Sequence, residues 1–200
     1  MDLLWHGPED PAATLVLAHG AGAAMDSAWM DRICALLADR GIRTARFEFS
    51  YMAARREGRR PPAPKAELSM GEYEDAVAAV VAHAGSPVLI GGKSYGGRVA
   101  SLVADDLDDV DGLVCLAYPF HPPSKPDALR TAHLRELRTP TLICQGTRDP
   151  FGTADEVPGF GLSPAITVAW FDGAHDIQPL GRLAAVADAV AGFARTVPRT

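Results

Sequence analysis

Short apolar runs recur along the chain at Thr14–Ala18, Arg43–Phe49, Pro87–Gly91, Gly112–Ala117, Pro140–Gln145 and Ala165–Phe171, and stretches with helical spacing separate most of them. Strands that are apolar on both faces need covering on both faces, and strands joined through helices run parallel. The alternation therefore predicts an α/β fold: a doubly wound, mostly parallel sheet of about six to seven strands with helices on both faces. Helices are expected at Ala28–Asp39, with Ile33, Leu36 and Leu37 on one face, and at Met70–His83, with Tyr73, Val77, Val80 and Val81. Two more are expected at Tyr95–Asp105 and Leu180–Thr196. Gly41 and Gly85 stand where C-terminal caps close the first two helices, and Leu3–His6 would add an edge strand.

The 200 residues, 48% of them hydrophobic, are enough for one such sheet, so residues 1–200 are read as a single domain. A net charge of −6 argues against nucleic acid or an anionic membrane as partner and favours a small-molecule substrate. Apolar runs such as Thr14–Ala18 and Val186–Ala191 are too short to span a bilayer, and Met1–His6 lacks a basic region followed by an apolar core. A cytoplasmic protein is expected. Cys34, Cys115 and Cys144 are odd in number and widely spaced, which suits buried reduced thiols and neither zinc nor disulfides.

The run Val88-Leu-Ile-Gly-Gly-Lys-Ser-Tyr-Gly-Gly-Arg98 places Ser94 between Gly92 and Gly96 where an apolar strand gives way to a helix. A serine at such a turn is forced outward as an exposed nucleophile, and the helix N-terminus behind it offers the Tyr95 N–H to a developing oxyanion. A tight strand-to-helix turn without chemistry would leave the same trace. Gly92-Lys93-Ser94 also ends like a phosphate-binding loop, but Pro87 stands where that loop needs its first glycine and the intervening residues belong to a strand.

In a doubly wound sheet, functional groups collect on loops at the carboxyl ends of the strands. Asp149 follows the run ending at Gln145, and His175 follows the run ending at Phe171. Ser94 is a poor nucleophile until a base removes its proton; His175 can do so near neutral pH, and Asp149 can orient the imidazole and stabilise its cation. Asp149 before Pro150 could instead be a turn former. Asp172 and Asp176 are alternative acids, with Asp176 expected to point away from the adjacent ring. The second oxyanion donor is assigned to the Ala21 N–H in His19-Gly-Ala-Gly-Ala23, with His19 in a structural hydrogen bond beneath that loop. Neither a metal site from His19, His121 and His175 nor any cofactor is expected.

Ala53–Pro64, with Arg55, Arg56, Arg59 and Arg60, is expected to be a solvated surface loop; attraction of a carboxylate-bearing substrate is its alternative reading. Pro119–Pro126 forms a second loop. No insertion there is long enough for a lid, so the site should be open and without a cap domain. Tyr118 and Phe120, with Lys93, could shape a pocket, but aromatic residues at a strand end are more often core, and Lys93 could equally extend to solvent.

The blocks Leu17-Ala-His-Gly-Ala-Gly22 with Met25-Asp26-Ser27, Gly91-Gly-Lys-Ser-Tyr-Gly-Gly-Arg98, Tyr118-Pro-Phe-His-Pro-Pro123, Gln145-Gly-Thr-Arg-Asp-Pro-Phe-Gly152 and Gly173-Ala-His-Asp176 span nearly the whole chain. They resemble the small, uncapped α/β-hydrolase-fold proteins related to the dienelactone hydrolase branch. The chain order Ser, Asp, His is the one such proteins use. The resemblance implies Ser94, Asp149 and His175 as a catalytic triad. Dienelactone hydrolases proper carry a cysteine nucleophile, so Ser94 points to an ordinary carboxylic ester or thioester instead. The expectation is a serine hydrolase working through an acyl-enzyme, with acyl transfer by the same residues or a non-catalytic interaction module as alternatives.

Overall fold

The computed structural model describes residues 2–85 and 87–198; of the span read as one domain, Met1, Ser86, Arg199 and Thr200 lie outside the described residues. Each expected apolar run contributes a strand, and so does the N-terminal stretch. The strands are Leu4–His6 (β1), Ala13–Ala18 (β2), Ile42–Phe47 (β3), Val88–Lys93 (β4), Gly112–Leu116 (β5), Thr141–Gly146 (β6) and Ile166–Phe171 (β7). They form one 7-stranded sheet in the order β1-β3-β2-β4-β5-β6-β7. Every neighbouring pair is parallel except β1, which runs antiparallel to β3 with Leu4 opposite Arg46.

The period of two along a strand divides its side chains between two cores. In β2, Leu15 and Leu17 pack against Ala28–Ala38 (α1) and Leu183–Ala194 (α5), while Val16 and Ala18 pack against the opposite layer. That layer is built from Ser50–Arg56 (α2), Met70–Val81 (α3) and Tyr95–Val103 (α4). Leu15, Leu17 and Leu89 are fully buried, each contributing roughly 1.5–3 kcal/mol of apolar burial. Because β3 lies on one side of β2 and β4 on the other, the strand order reverses at the β2/β4 boundary. The loops leaving these two strands diverge there and open a crevice at their carboxyl ends.

Three local expectations need correction. The arginine-rich stretch begins inside α2, because Tyr51, Met52 and Ala54 bury one side of that helix against the core. Tyr51 and Met52 precede Ala53, so the composition of the stretch concealed its anchor. β3 stops at Phe47, and Phe49 leads into α2 as its extended N-cap. Gly41 has the left-handed φ of +82° that suits a cap after α1, whereas Gly85 has no such conformation and α3 already ends at Val81. Among the described residues no cap domain covers the strand ends, and no helix is long and apolar enough to cross a membrane.

Candidate active site

Ser94 lies in the crevice, between the end of β4 and the start of α4, with φ 51° and ψ −110°. A non-glycine residue at positive φ costs of order 1–3 kcal/mol and persists only when its surroundings impose it. Here Ser94 N–H donates to Leu116 O at 2.8 Å, and Ser94 O accepts from Arg98 N–H at 3.0 Å. The flanking glycines permit the close approach. A Cβ on Gly92 would stand 2.4 Å from the Gly96 carbonyl carbon, and one on Gly96 would stand 2.6 Å from His19 O.

Side chains from two other strand ends converge on the hydroxyl. Ser94 Oγ lies 2.8 Å from His175 Nε2, and His175 Nδ1 lies 2.8 Å from Asp149 Oδ2. Phe151 packs on the imidazole with ring centroids 4.4 Å apart. Asp149 is fully buried; Oδ1 accepts from Phe151 N–H at 2.9 Å, and Oδ2 also accepts from Gln145 Nε2 at 2.9 Å. Gln145 is itself fixed by donating to Tyr118 O and Gly152 O, each at 3.2 Å. This shell fixes which oxygen faces the ring.

The alternative acids are engaged elsewhere. Asp176 meets Lys93 Nζ at 2.7 Å, and its backbone carbonyl accepts from Trp29 Nε1 at 2.8 Å. Burial works to raise its pKa, but the Lys93 ammonium outweighs it and holds the carboxyl below the usual carboxylate value. Asp172 is paired with Arg148 and with Arg182.

The His19–Ala23 loop follows β2 and passes beside the nucleophile: a Cβ on Gly20 would be 3.9 Å from Ser94 Cβ. Two clefts, of about 360 and 420 Å³, flank Ser94, and Ser94 and Ala21 line both. The first intrahelical bond of α4 is Arg98 N–H to Ser94 O, so the Tyr95 N–H at its start has no intrahelical acceptor. The Tyr95 side chain points the other way, with its hydroxyl 2.9 Å from Ser69 Oγ and its ring edge against Phe49 and Tyr51.

The support of this loop leaves no motif in the sequence. Arg55, expected in a solvated loop, instead lies over the Tyr51 ring at 5.2 Å and donates to Ala21 O at 3.1 Å and to Pro61 O. Arg56 likewise folds back onto Glu48 and Asp26. Of the two readings of Tyr118 and Phe120, core holds: both are fully buried, and Pro119 between them faces the larger cleft. Lys93 does line the smaller cleft, held by Asp176 and 5.1 Å from the Trp29 ring centroid. The cysteines are free and buried, and no group of three His, Cys, Asp or Glu stands close enough to hold a metal among the described residues.

His19 sits beneath the loop, fully buried. Its Nε2 accepts from Phe49 N–H at 3.2 Å, so Nδ1 carries the proton and donates to Gly20 O at 2.7 Å. Burial lowers its pKa. His133, 2.9 Å from Ser101 Oγ, is pushed down to about 4, first by burial and then by Arg98. His133 therefore stays neutral in the folded chain at pH values where its unfolded counterpart takes up a proton, near 6.5, and His19 is shifted in the same direction. Their contribution to stability is complete above that value and is lost as pH falls towards about 4 for His133. Urea midpoints should drop between pH 7 and 5, and His133→Gln should make that slope shallower; an unchanged slope would remove His133 from the account.

The fold recurs in solved structures of low sequence identity. The esterase domain of a Rhodothermus marinus protein superposes with a TM-score of 0.73 at 17% identity, covering 96% of this chain and 91% of the other. An alpha-beta serine hydrolase homologue from Coxiella burnetii gives 0.75 at 18%, covering 95% and 89%. Est1E from Butyrivibrio proteoclasticus, in a structure with ferulic acid bound, gives 0.72 at 14%, covering 96% and 93%. The alpha/beta hydrolase domain family matches residues 11–195, which include the whole Ser94 crevice and every strand but β1, and the chain belongs to that family.

Proposed function

We propose that this chain is a serine hydrolase that cleaves small-molecule carboxylic esters or thioesters through an acyl-enzyme on Ser94. The reading rests above all on the continuous relay from Asp149 Oδ2 through His175 to Ser94 Oγ, both links 2.8 Å long, at a strained turn beside unbonded helix amides. His175 Nδ1–H donates to Asp149, which leaves the Nε2 lone pair to take the Ser94 proton. Ser94 Oγ then attacks the carbonyl carbon, and the oxyanion is held by the Tyr95 and Ala21 amides. The tetrahedral intermediate collapses as the protonated His175 gives its proton to the departing oxygen or sulfur. Water, deprotonated by the same nitrogen, attacks the acyl-enzyme and releases the acid. The free buried thiols of Cys34, Cys115 and Cys144 fit a reducing, cytoplasmic setting.

The test is labelling by a fluorophosphonate together with turnover of p-nitrophenyl acetate. The folded protein should label at Ser94 and hydrolyse the ester. Absence of both would overturn the proposal in favour of a non-catalytic module. Transfer of the acetyl group to added alcohols at the expense of hydrolysis would identify acyl transfer as the reaction.

A further inference from the structure

The two clefts that meet at Ser94 differ in charge balance. In the smaller one the cation, Lys93, is neutralised by Asp176 at 2.7 Å. The larger one is lined by Lys65, Arg98 and Arg130 beside Pro119 and Phe151. Arg98 meets Glu67 at 2.6 Å, but neither Lys65 nor Arg130 has a carboxylate within ion-pairing distance among the described residues. This excess of positive charge lies on a chain whose net charge is −6.

Arg130 is only partly exposed, and both burial and the adjacent Arg98 guanidinium weigh against its charge, lowering its pKa. Glu67 favours the charge of Arg130, but it is already paired with Arg98 at 2.6 Å, so two cations share one carboxylate, an arrangement that an incoming anion relieves. Guanidinium groups suit a planar carboxylate, which they can grip with paired hydrogen bonds. Pro119, Phe151 and Ala63 supply apolar wall in the same cleft as these cations and Ser94.

Direction follows from His175, which lines the smaller cleft and not the larger. The group that receives its proton must depart on that side, so the acyl chain occupies the larger cleft. We propose that the substrate is a half ester or half thioester of a dicarboxylic acid, with its free carboxylate held by Arg130, Arg98 and Lys65. Hydrolysis consumes one water and gives the dicarboxylate and the alcohol or thiol. This inference rests on the serine-hydrolase reading for its chemistry, but the cleft itself can be tested without turnover. The arginine-rich stretch at Arg55–Arg60, considered from sequence as a carboxylate attractor, is a separate place: Arg55 and Arg56 are committed to Ala21, Pro61, Glu48 and Asp26.

The experiment compares mono-p-nitrophenyl adipate with p-nitrophenyl hexanoate in kcat/KM at low and at high salt. In parallel, calorimetry measures binding of adipic monoamide and of hexanamide, which differ only in the free carboxylate, to the wild-type protein, Arg130→Gln and the exposed-site variant Lys65→Gln. The adipate ester should be preferred by about 10- to 100-fold, as expected for charge-assisted hydrogen bonds, and the preference should shrink with salt and in both variants. Adipic monoamide should bind at least about tenfold more tightly than hexanamide. Hydrolysis of both esters without preference, and equal binding of both amides, would overturn the anionic cleft while leaving the hydrolase. Selective binding of adipic monoamide without hydrolysis of either ester would keep the cleft and remove the hydrolase.

Discussion

Ser94→Ala is expected to abolish fluorophosphonate labelling and to lower kcat for p-nitrophenyl acetate by roughly 10⁴- to 10⁶-fold, with little change in thermal midpoint. The hydroxyl contributes one hydrogen bond, to His175 Nε2, while the turn is held by backbone bonds and by glycines that the substitution leaves alone. Alanine also tolerates the strained φ of 51° no worse than serine does. His175→Ala should lose nearly as much, and the double variant should be no slower than either single one, because nucleophile and base act as one unit. Additive losses would argue that the two residues serve different steps. An Ser94→Ala protein that kept most of its turnover would dismiss the proposed mechanism outright.

Much of this arrangement was legible in the chain because local rules and tertiary structure agree. The central strands β2, β4, β5 and β6 are short and almost wholly buried, the runs along the chain read within two residues of the strands, and their order placed Ser94, Asp149 and His175 after three different strand ends. The 2.8 Å links joining them could not be read, since they depend on where β4, β6 and β7 lie in the sheet. Choosing among Asp149, Asp172 and Asp176 likewise needed geometry: Lys93 and the Arg148/Arg182 pair claim the latter two.

What stayed hidden depended on partners distant in sequence. The charge of Arg55 suggested solvent, but its contacts with Tyr51 and the Ala21 carbonyl make it a brace for the loop beside Ser94. Arg98 and Arg130 are far apart in the chain and carry no shared motif, so their meeting in one cleft was invisible until the loop after β5 was folded against α4. Gln145 read as the end of an apolar strand; its amide in fact fixes Asp149 by spanning Tyr118 O and Gly152 O. Polar residues that close a network between loops leave no period in the sequence, whereas core residues do.

Asp149→Asn is expected to lower kcat by about 10³- to 10⁴-fold and to destabilise the fold by about 1–3 kcal/mol. Both carboxylate oxygens accept here: Oδ1 from Phe151 N–H, and Oδ2 from His175 Nδ1 and Gln145 Nε2. An amide can replace only one of them. With its NH₂ towards Phe151, one buried donor faces another; with its NH₂ towards His175 and Gln145, two donors are opposed and the imidazole is driven to the tautomer that protonates Nε2. Gln145 cannot turn over to help, because its own NH₂ is held by Tyr118 O and Gly152 O. The first orientation is therefore preferred, which keeps Nε2 free but replaces a charge by a dipole just where the imidazolium forms. KM should move little, since Asp149 lines neither cleft. Asp172→Asn, changed in an exposed pair with Arg148 and Arg182, should remain within a few-fold of the wild type in kcat. If Asp149→Asn turned over at the wild-type rate while Asp176→Asn did not, the acid would have been misassigned and Lys93–Asp176 would have to open during catalysis.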